Sequence, residues 1–153
     1  MKTSLTCLFF AAVVFGADPA GVRYWSASEL QGFDKKLSEK LGSKPFVSDP
    51  FGSLGANSLA MIAHREADGS AEIHETQNDI FVVQNGQGTI VLGGEAVDAK
   101  MTEPNELRAN SIRGGVQKKL GPGDILYIPA KCPHQLLVPK GQHFTYFVIK
   151  VKE

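Results

Sequence analysis

Glu72-Ile73-His74-Glu75-Thr76-Gln77-Asn78-Asp79-Ile80-Phe81-Val82-Val83-Gln84-Asn85-Gly86 is the stretch on which the fold turns. Side chains two apart on a strand share a face, so a short strand over 71–74 points Glu72 and His74 the same way. A stronger strand over 79–84 carries Asp79, Phe81 and Val83 on one face. Asn85-Gly86 reads as the hairpin turn that closes it. With the Phe81 face turned inward, Asp79 enters an apolar cavity. A carboxylate there has to be paired, hydrogen-bonded or metal-bound.

The same period of two extends in both directions. Upstream, 59–63 reads as a strand and Asp68-Gly69 as a turn. Downstream, a strand over 89–92 stops at Gly93-Gly94, and 95–100 is a further strand. Residues 101–115 are rich in Pro, Asn, Arg and Gly; they read as a surface excursion carrying Arg108 and Arg113, either a lid or a plain loop. Strands over 116–120, 125–128, 135–138 and 144–151 complete the set. Short strands joined by turn chemistry predict an all-β sandwich or small barrel over 57–153. Before it lies a segment, 18–56, with one helix over about 27–41. Ser26-Ala27-Ser28-Glu29 is a capping box, Leu30, Phe33, Leu37 and Leu41 make one apolar face, and Gly42 is a stop. The helix is expected to pack outside the barrel.

The amino end reads as an address. Met1-Lys2-Thr3-Ser4 is weakly basic, 5–15 is almost wholly apolar, and small Gly16-Ala17 precede Asp18-Pro19. That is the order of a secretory signal peptide over 1–17, cut after Gly16 or Ala17. The expected product is secreted, or periplasmic in a Gram-negative source, and the mature protein is not membrane-embedded, the apolar run being too short to span a bilayer. Cys7 falls in the signal and leaves Cys132 alone, so the fold stands without an intrachain disulfide. Cys132 reads as a small turn residue beside Pro133. Lys+Arg 16 against Asp+Glu 16 gives a net charge of +0 over 153 residues, one domain's length, with no basic field for nucleic acid.

A second stretch carries chemistry: Gly121-Pro122-Gly123-Asp124-Ile125-Leu126-Tyr127-Ile128-Pro129-Ala130-Lys131-Cys132-Pro133-His134-Gln135. His134 opens a strand with Leu136 and Val138 on its face, another imidazole at the mouth of an apolar pocket. Phe81, Val83, Leu136 and Val138 are expected to line that pocket, with Tyr127 and Tyr146 on its flanks. Glu72, His74, Asp79 and His134 can then converge on one divalent cation. The alternative is a solvated Glu72 and a hydrogen-bonded His74 with no metal. His64 and His143 read as surface histidines.

These two stretches resemble the paired motifs of the cupin superfamily, over about 57–151. Asp79 to Gly86 has that family's seven-residue step from glutamate to glycine, and Gly123, Pro129 and His134 match its second motif. Two positions depart from it: Glu72 stands where the first motif histidine would be, and Asp79 replaces the motif glutamate. The resemblance implies a double-stranded jelly-roll barrel and a metal held by Glu72, His74, Asp79 and His134. Mn, Fe or Zn suits such a set, and two carboxylates would neutralise the ion and leave a weak Lewis acid. Asp79, one methylene short, is either a ligand or an acceptor that orients an imidazole. The resemblance further implies a small-molecule substrate, oxygenase, isomerase or decarboxylase chemistry, and a homodimer to which 25–41 contributes. A non-enzymatic module that binds or senses a small ligand, and a metal-free acid/base catalyst using His74 and a carboxylate, are the competing readings.

Overall fold

Residues 18–153 are described by the computed structural model; the signal read over 1–17, with Cys7, lies outside the described residues. Helix α1 spans Ala27–Leu41 and opens as its sequence predicts. Ser26 Oγ accepts from the Glu29 N–H, and Glu29 Oε2 accepts from the Ser26 N–H at 2.8 Å. Strands β1 (Phe46–Ser53), β2 (Ser58–Arg65), β3 (Ala71–His74), β4 (Gln77–Gly86), β5 (Gly88–Leu92), β6 (Glu95–Val97) and β7 (Lys100–Glu103) follow. Then come β8 (Glu106–Ala109), β9 (Ser111–Arg113), β10 (Val116–Leu120), β11 (Ile125–Ile128), β12 (His134–Leu137) and β13 (Phe144–Lys152). A five-stranded sheet, β1-β2-β13-β4-β11, faces a six-stranded sheet, β10-β5-β12-β3-β8-β7, and β6 pairs with β9. This is the all-β jelly-roll barrel that the motif resemblance implies. Among the described residues no helix is long and apolar enough to cross a membrane.

The core lies between the inner faces of the two sheets. Phe81, Val83 and Val148 meet Ile90, Leu136 and Val138 there, each at most 6% exposed. Burying one such side chain stabilises by about 1.5–3 kcal/mol, which is how the barrel stands without a disulfide. On the outer face of the five-stranded sheet, α1 buries Leu37 and Leu41. Trp25 stacks on Phe51 with ring centroids 5.1 Å apart and tilts onto Phe147 at 5.2 Å. The apolar side of 25–41 is therefore turned against the chain's own sheet.

Four local readings change. β1 is a strand inside the amino-terminal segment; Pro50 and Gly52 disguise it, and both are tolerated because it is an edge strand with a bulge between them. Asn85-Gly86 is not a hairpin turn, since β4 pairs with β13 and β11 while β5 pairs with β10 and β12. The chain crosses there between sheets. Gly86, at φ +75°, passes so close to the His143 carbonyl that a Cβ would collide with it. The strand read over 95–100 breaks at Asp98, φ 55°, into β6 and β7. The excursion over 101–115 is ordered: β8 pairs with β3 along its whole length.

His64 is 1% exposed, not a surface residue. It sits under α1, with Nδ1 2.7 Å from Thr145 Oγ1 and 3.2 Å from Asp34 Oδ1. His143 stacks on it at 5.8 Å.

Candidate functional site

Strand register assembles the site from two rows of inward side chains. On the six-stranded sheet His134 lies opposite Glu72, and Glu72 lies opposite Arg108. One pleat along, His74 lies opposite Glu106. On the facing sheet Lys150 lies directly opposite Asp79. The turn that delivers His134 is clamped to the neighbouring strands. The Lys131 N–H donates to the His74 carbonyl at 2.7 Å and the Ala130 N–H to Asn78 Oδ1 at 2.8 Å.

Both imidazoles are fixed by the nitrogen that faces away from the centre. His134 Nδ1 donates to the Cys132 carbonyl at 3.0 Å, and His74 Nδ1 contacts Glu106 Oε2 at 2.6 Å. Each therefore presents Nε2 inward. His134 Nε2 is buried and has no hydrogen-bond partner. Burial pushes the His134 pKa down, so the ring is neutral and the inward nitrogen carries a lone pair. Glu72 Oε2 lies 3.7 Å from His74 Nε2 and 3.9 Å from His134 Nε2. The three donors lie within 4.8 Å of one another.

Asp79 has a different occupation. Its oxygens accept from Lys150 Nζ at 2.8 and 3.1 Å. The same ammonium is 2.8 Å from His74 Nε2, and Asp79 Oδ2 is 3.2 Å from that nitrogen. Burial works against the Asp79 charge, but His74 and Lys150 outweigh it and hold the carboxyl below its usual range. Burial likewise works against an imidazolium at His74, and Asp79 outweighs it, so the His74 pKa is raised. The two contacts at Nε2 call for opposite proton states. With the lysine donating, the ring is neutral and its proton rests on Nδ1 toward Glu106; that arrangement satisfies both nitrogens of His74.

Of the four expected ligands, Glu72, His74 and His134 bring donors within 4.8 Å of one another; Asp79 Oδ2 lies 3.2 Å from His74 Nε2 and 3.8 Å from His134 Nε2 and is at the same time paired with Lys150. Phe81 lines the cavity of about 490 Å³ next to the cluster, and Leu136 lines a small void at its inner end. Val83 and Val138 belong to the packed core and not to the cavity wall. Tyr127, expected on the wall, points outward from β11 and is 58% exposed. Tyr146 does line the cavity. Sequence reading passed over Glu106, Lys150 and Arg65, and left Arg108 in a loop. Inward parity is the signal that finds two of them: Lys150 follows Tyr146 and Val148 at steps of two, and Arg65 follows Met61 and Ala63.

The donor set fits a divalent ion. One carboxylate and two imidazoles suit Mn, Fe or Zn, the orphaned His134 nitrogen supplies a ready lone pair, and Glu106 and the Cys132 carbonyl orient the rings as such ligands require. The Lys150 ammonium is a cation already standing at this centre, and a metal bound to His74 Nε2 would have to move it aside.

A profile of the JmjC domain family matches residues 51–151. No curated protein matches the chain. Among solved structures the chain is similar to the DMSP lyase DddQ from Ruegeria pomeroyi, with a TM-score of 0.51 and 16% identity, over 72% of this chain and 49% of the lyase. It is similar to the polyketide cyclase RemF from Streptomyces resistomycificus, with a TM-score of 0.50 and 19% identity, over 72% of this chain and 67% of the cyclase. A conserved protein from Klebsiella pneumoniae with a double-stranded beta-helix domain aligns at a TM-score of 0.51 and 13% identity, over 70% of this chain and 76% of that one. This chain thus spans about half the length of the lyase. At these identities the likeness is one of fold.

Proposed function

This chain belongs to the JmjC domain family, among the cupin-type barrels, and from that premise we propose that it is an exported, metal-dependent enzyme acting on a small organic molecule. The observation that carries the reading is the buried, unpartnered Nε2 of His134, set within 4.8 Å of the Glu72 and His74 donors. A polar atom left without a partner in a barrel interior is costly, and a cation would satisfy it. The barrels of a lyase and a cyclase support a small organic substrate. The order of residues 1–17 supports export.

Glu72, His74 and His134 would hold the ion, which when bound supplies Lewis-acid polarisation of a substrate oxygen. Asp79, which faces both imidazoles as well as Lys150, would join them as a second carboxylate where the ion displaces the ammonium. Glu106 keeps the His74 proton on Nδ1. Arg108, ion-paired with Glu72, orients that carboxylate. Lys150 holds a proton at Nζ beside the reacting space.

The test is elemental analysis of untagged protein purified without chelator. Near-stoichiometric Mn, Fe or Zn is expected in wild type and its loss in H134A. Absence of metal, with none recovered on reconstitution, overturns the metal reading. An export-competent host should yield a mature chain beginning at Ala17 or Asp18; intact protein retained in the cytoplasm overturns export. One observation favours a second reading: the His74–Lys150–Asp79 chain of contacts is a complete acid/base relay without metal. Turnover with a bell-shaped pH profile indifferent to chelator would select it.

A further inference from the structure

We propose that the cavity beside the cluster takes a small monocarboxylic acid, with its carboxylate paired to Arg65 and its apolar body along the barrel wall. The proposal rests on the reading of this cavity as the substrate site.

Arg65 closes β2 on the inward parity of Met61 and Ala63, so the sequence drives a guanidinium into the barrel. It is 8% exposed, and its Nε is buried without a hydrogen-bond partner. Among the described residues no carboxylate lies within 4.0 Å of it, although the other cations on the cavity wall are matched: Arg108 with Glu72, and Lys150 with Asp79. Asp68, also on the wall, is engaged by the Val138 N–H at 2.8 Å. Tyr146 cannot serve as the counter-anion. Burial pushes its phenol up to about 12 against the pull of Arg65, so it stays neutral. Arg65 is therefore the cation of this wall with no carboxylate in contact, the Asp68 charge lying on the same wall beyond ion-pair distance. Buried charges are ordinarily paired, and this one is held in place to meet a partner. The Phe46 ring lies under Cζ at 4.5 Å. Gly69 leaves the room the fork occupies, since a Cβ there would sit 3.0 Å from Nη1.

The fork of a guanidinium matches a carboxylate with two parallel hydrogen bonds. A phosphate dianion would bring a second negative charge with nothing to meet it. Phe46, Met61, Phe81 and Val148 supply an apolar part of the wall, beside Ser48 and Ser70. A cavity of about 490 Å³ suits a small molecule with one charged end.

The experiment is calorimetric titration and thermal melting of the full-length protein with phenylacetate, phenylacetamide and inorganic phosphate. Wild type, R65M and R65K are compared, in chelator and again with Mn²⁺. In chelator, where no metal can hold the carboxylate, phenylacetate should bind wild type about tenfold or more tightly than the amide, with phosphate inert. R65M should lose the preference, keep the wild-type Mn²⁺ affinity, and melt no lower without ligand. R65K should keep part of the preference. Equal binding of acid and amide, binding of neither, phosphate competing with phenylacetate, or the preference surviving in R65M overturns the proposal. Should R65M fail to fold, the acid–amide comparison on wild type and R65K still decides. Mn²⁺ binding with no acid preference defeats this proposal alone. Acid preference without Mn²⁺ binding defeats the metal reading alone.

Discussion

Lys150 holds a cation against the inward nitrogen of His74, at the candidate metal site. Its Nζ is 2.8 Å from both His74 Nε2 and Asp79 Oδ1. A hydrogen bond to a charged group is worth about 1.5–3 kcal/mol, and a metal that binds His74 must forgo the one Lys150 makes there. Removing the ammonium should therefore help the metal and harm the empty protein. K150M is expected to raise Mn²⁺ affinity about tenfold, the equivalent of about 1.4 kcal/mol. It should also destabilise the metal-free chain by about 3 kcal/mol, because Asp79 is left buried with only His74, at 3.2 Å, to meet its charge. D79N added to K150M should recover most of that loss. Titration calorimetry and denaturant melts read the two effects; an Mn²⁺ affinity unmoved by K150M would show that the lysine does not compete. Glu72, His74 and His134 were legible in the sequence because their spacing and strand-opening positions are local facts. Lys150 and Arg65 were not. On paper each is an ordinary charge near a strand end, and its parity acquires meaning only once the inner face of the sheet is known.

Helix α1 is held by a polar network as well as by Leu37. Asp34 accepts from Thr145 Oγ1, which is 0% exposed, and from Asn85 Nδ2 at 2.7 Å, and it lies 3.2 Å from His64. Burial works against its charge, but the bonds from Thr145 and Asn85 and the nearby His143 and His64 outweigh it, so its pKa is lowered. A depressed carboxyl contributes stability that is present above the unfolded value, near about 3.9, and is lost as pH falls through the folded value. Acidification below about pH 4 should accordingly loosen α1. Trp25, the only tryptophan, stacks on Phe51 beside the start of this helix, so its emission should shift to the red before far-ultraviolet dichroism reports loss of the sheets. D34N should show the loosened emission near neutral pH and no acid step. Coincident transitions in both signals would mean that the helix and barrel melt as one. The helix itself was plain from its capping box and apolar stripe. The elements that escaped, β1 and β7–β9, are short or edge strands whose pairing, not their composition, makes them strands. Asn85-Gly86 misled for a related reason: a turn dipeptide reports a local bend and says nothing about which sheet the chain enters next.

Across the whole molecule the candidate donors Glu72, His74 and His134 belong to β3 and β12 of one sheet, whereas Asp79 and Lys150 belong to β4 and β13 of the other. The Lys150–His74 contact is thus a bridge between sheets, and the apolar core that joins them lies apart from it. A metal at Glu72, His74 and His134 would bind a site already built by the register of one sheet, so folding does not depend on it. Binding to the folded state alone still adds stability by mass action, about 2.7 kcal/mol at a hundred times the dissociation constant. For a domain of this length that is a rise of roughly 10 °C in Tm. Wild type in saturating Mn²⁺ should show that rise and lose it on adding chelator. H134A should melt cooperatively without any response to Mn²⁺, because His134 lies outside the apolar cluster that holds the sheets together. A wild-type Tm indifferent to Mn²⁺, Fe²⁺ and Zn²⁺ alike would mean that the orphaned nitrogen of His134 waits for something other than a metal.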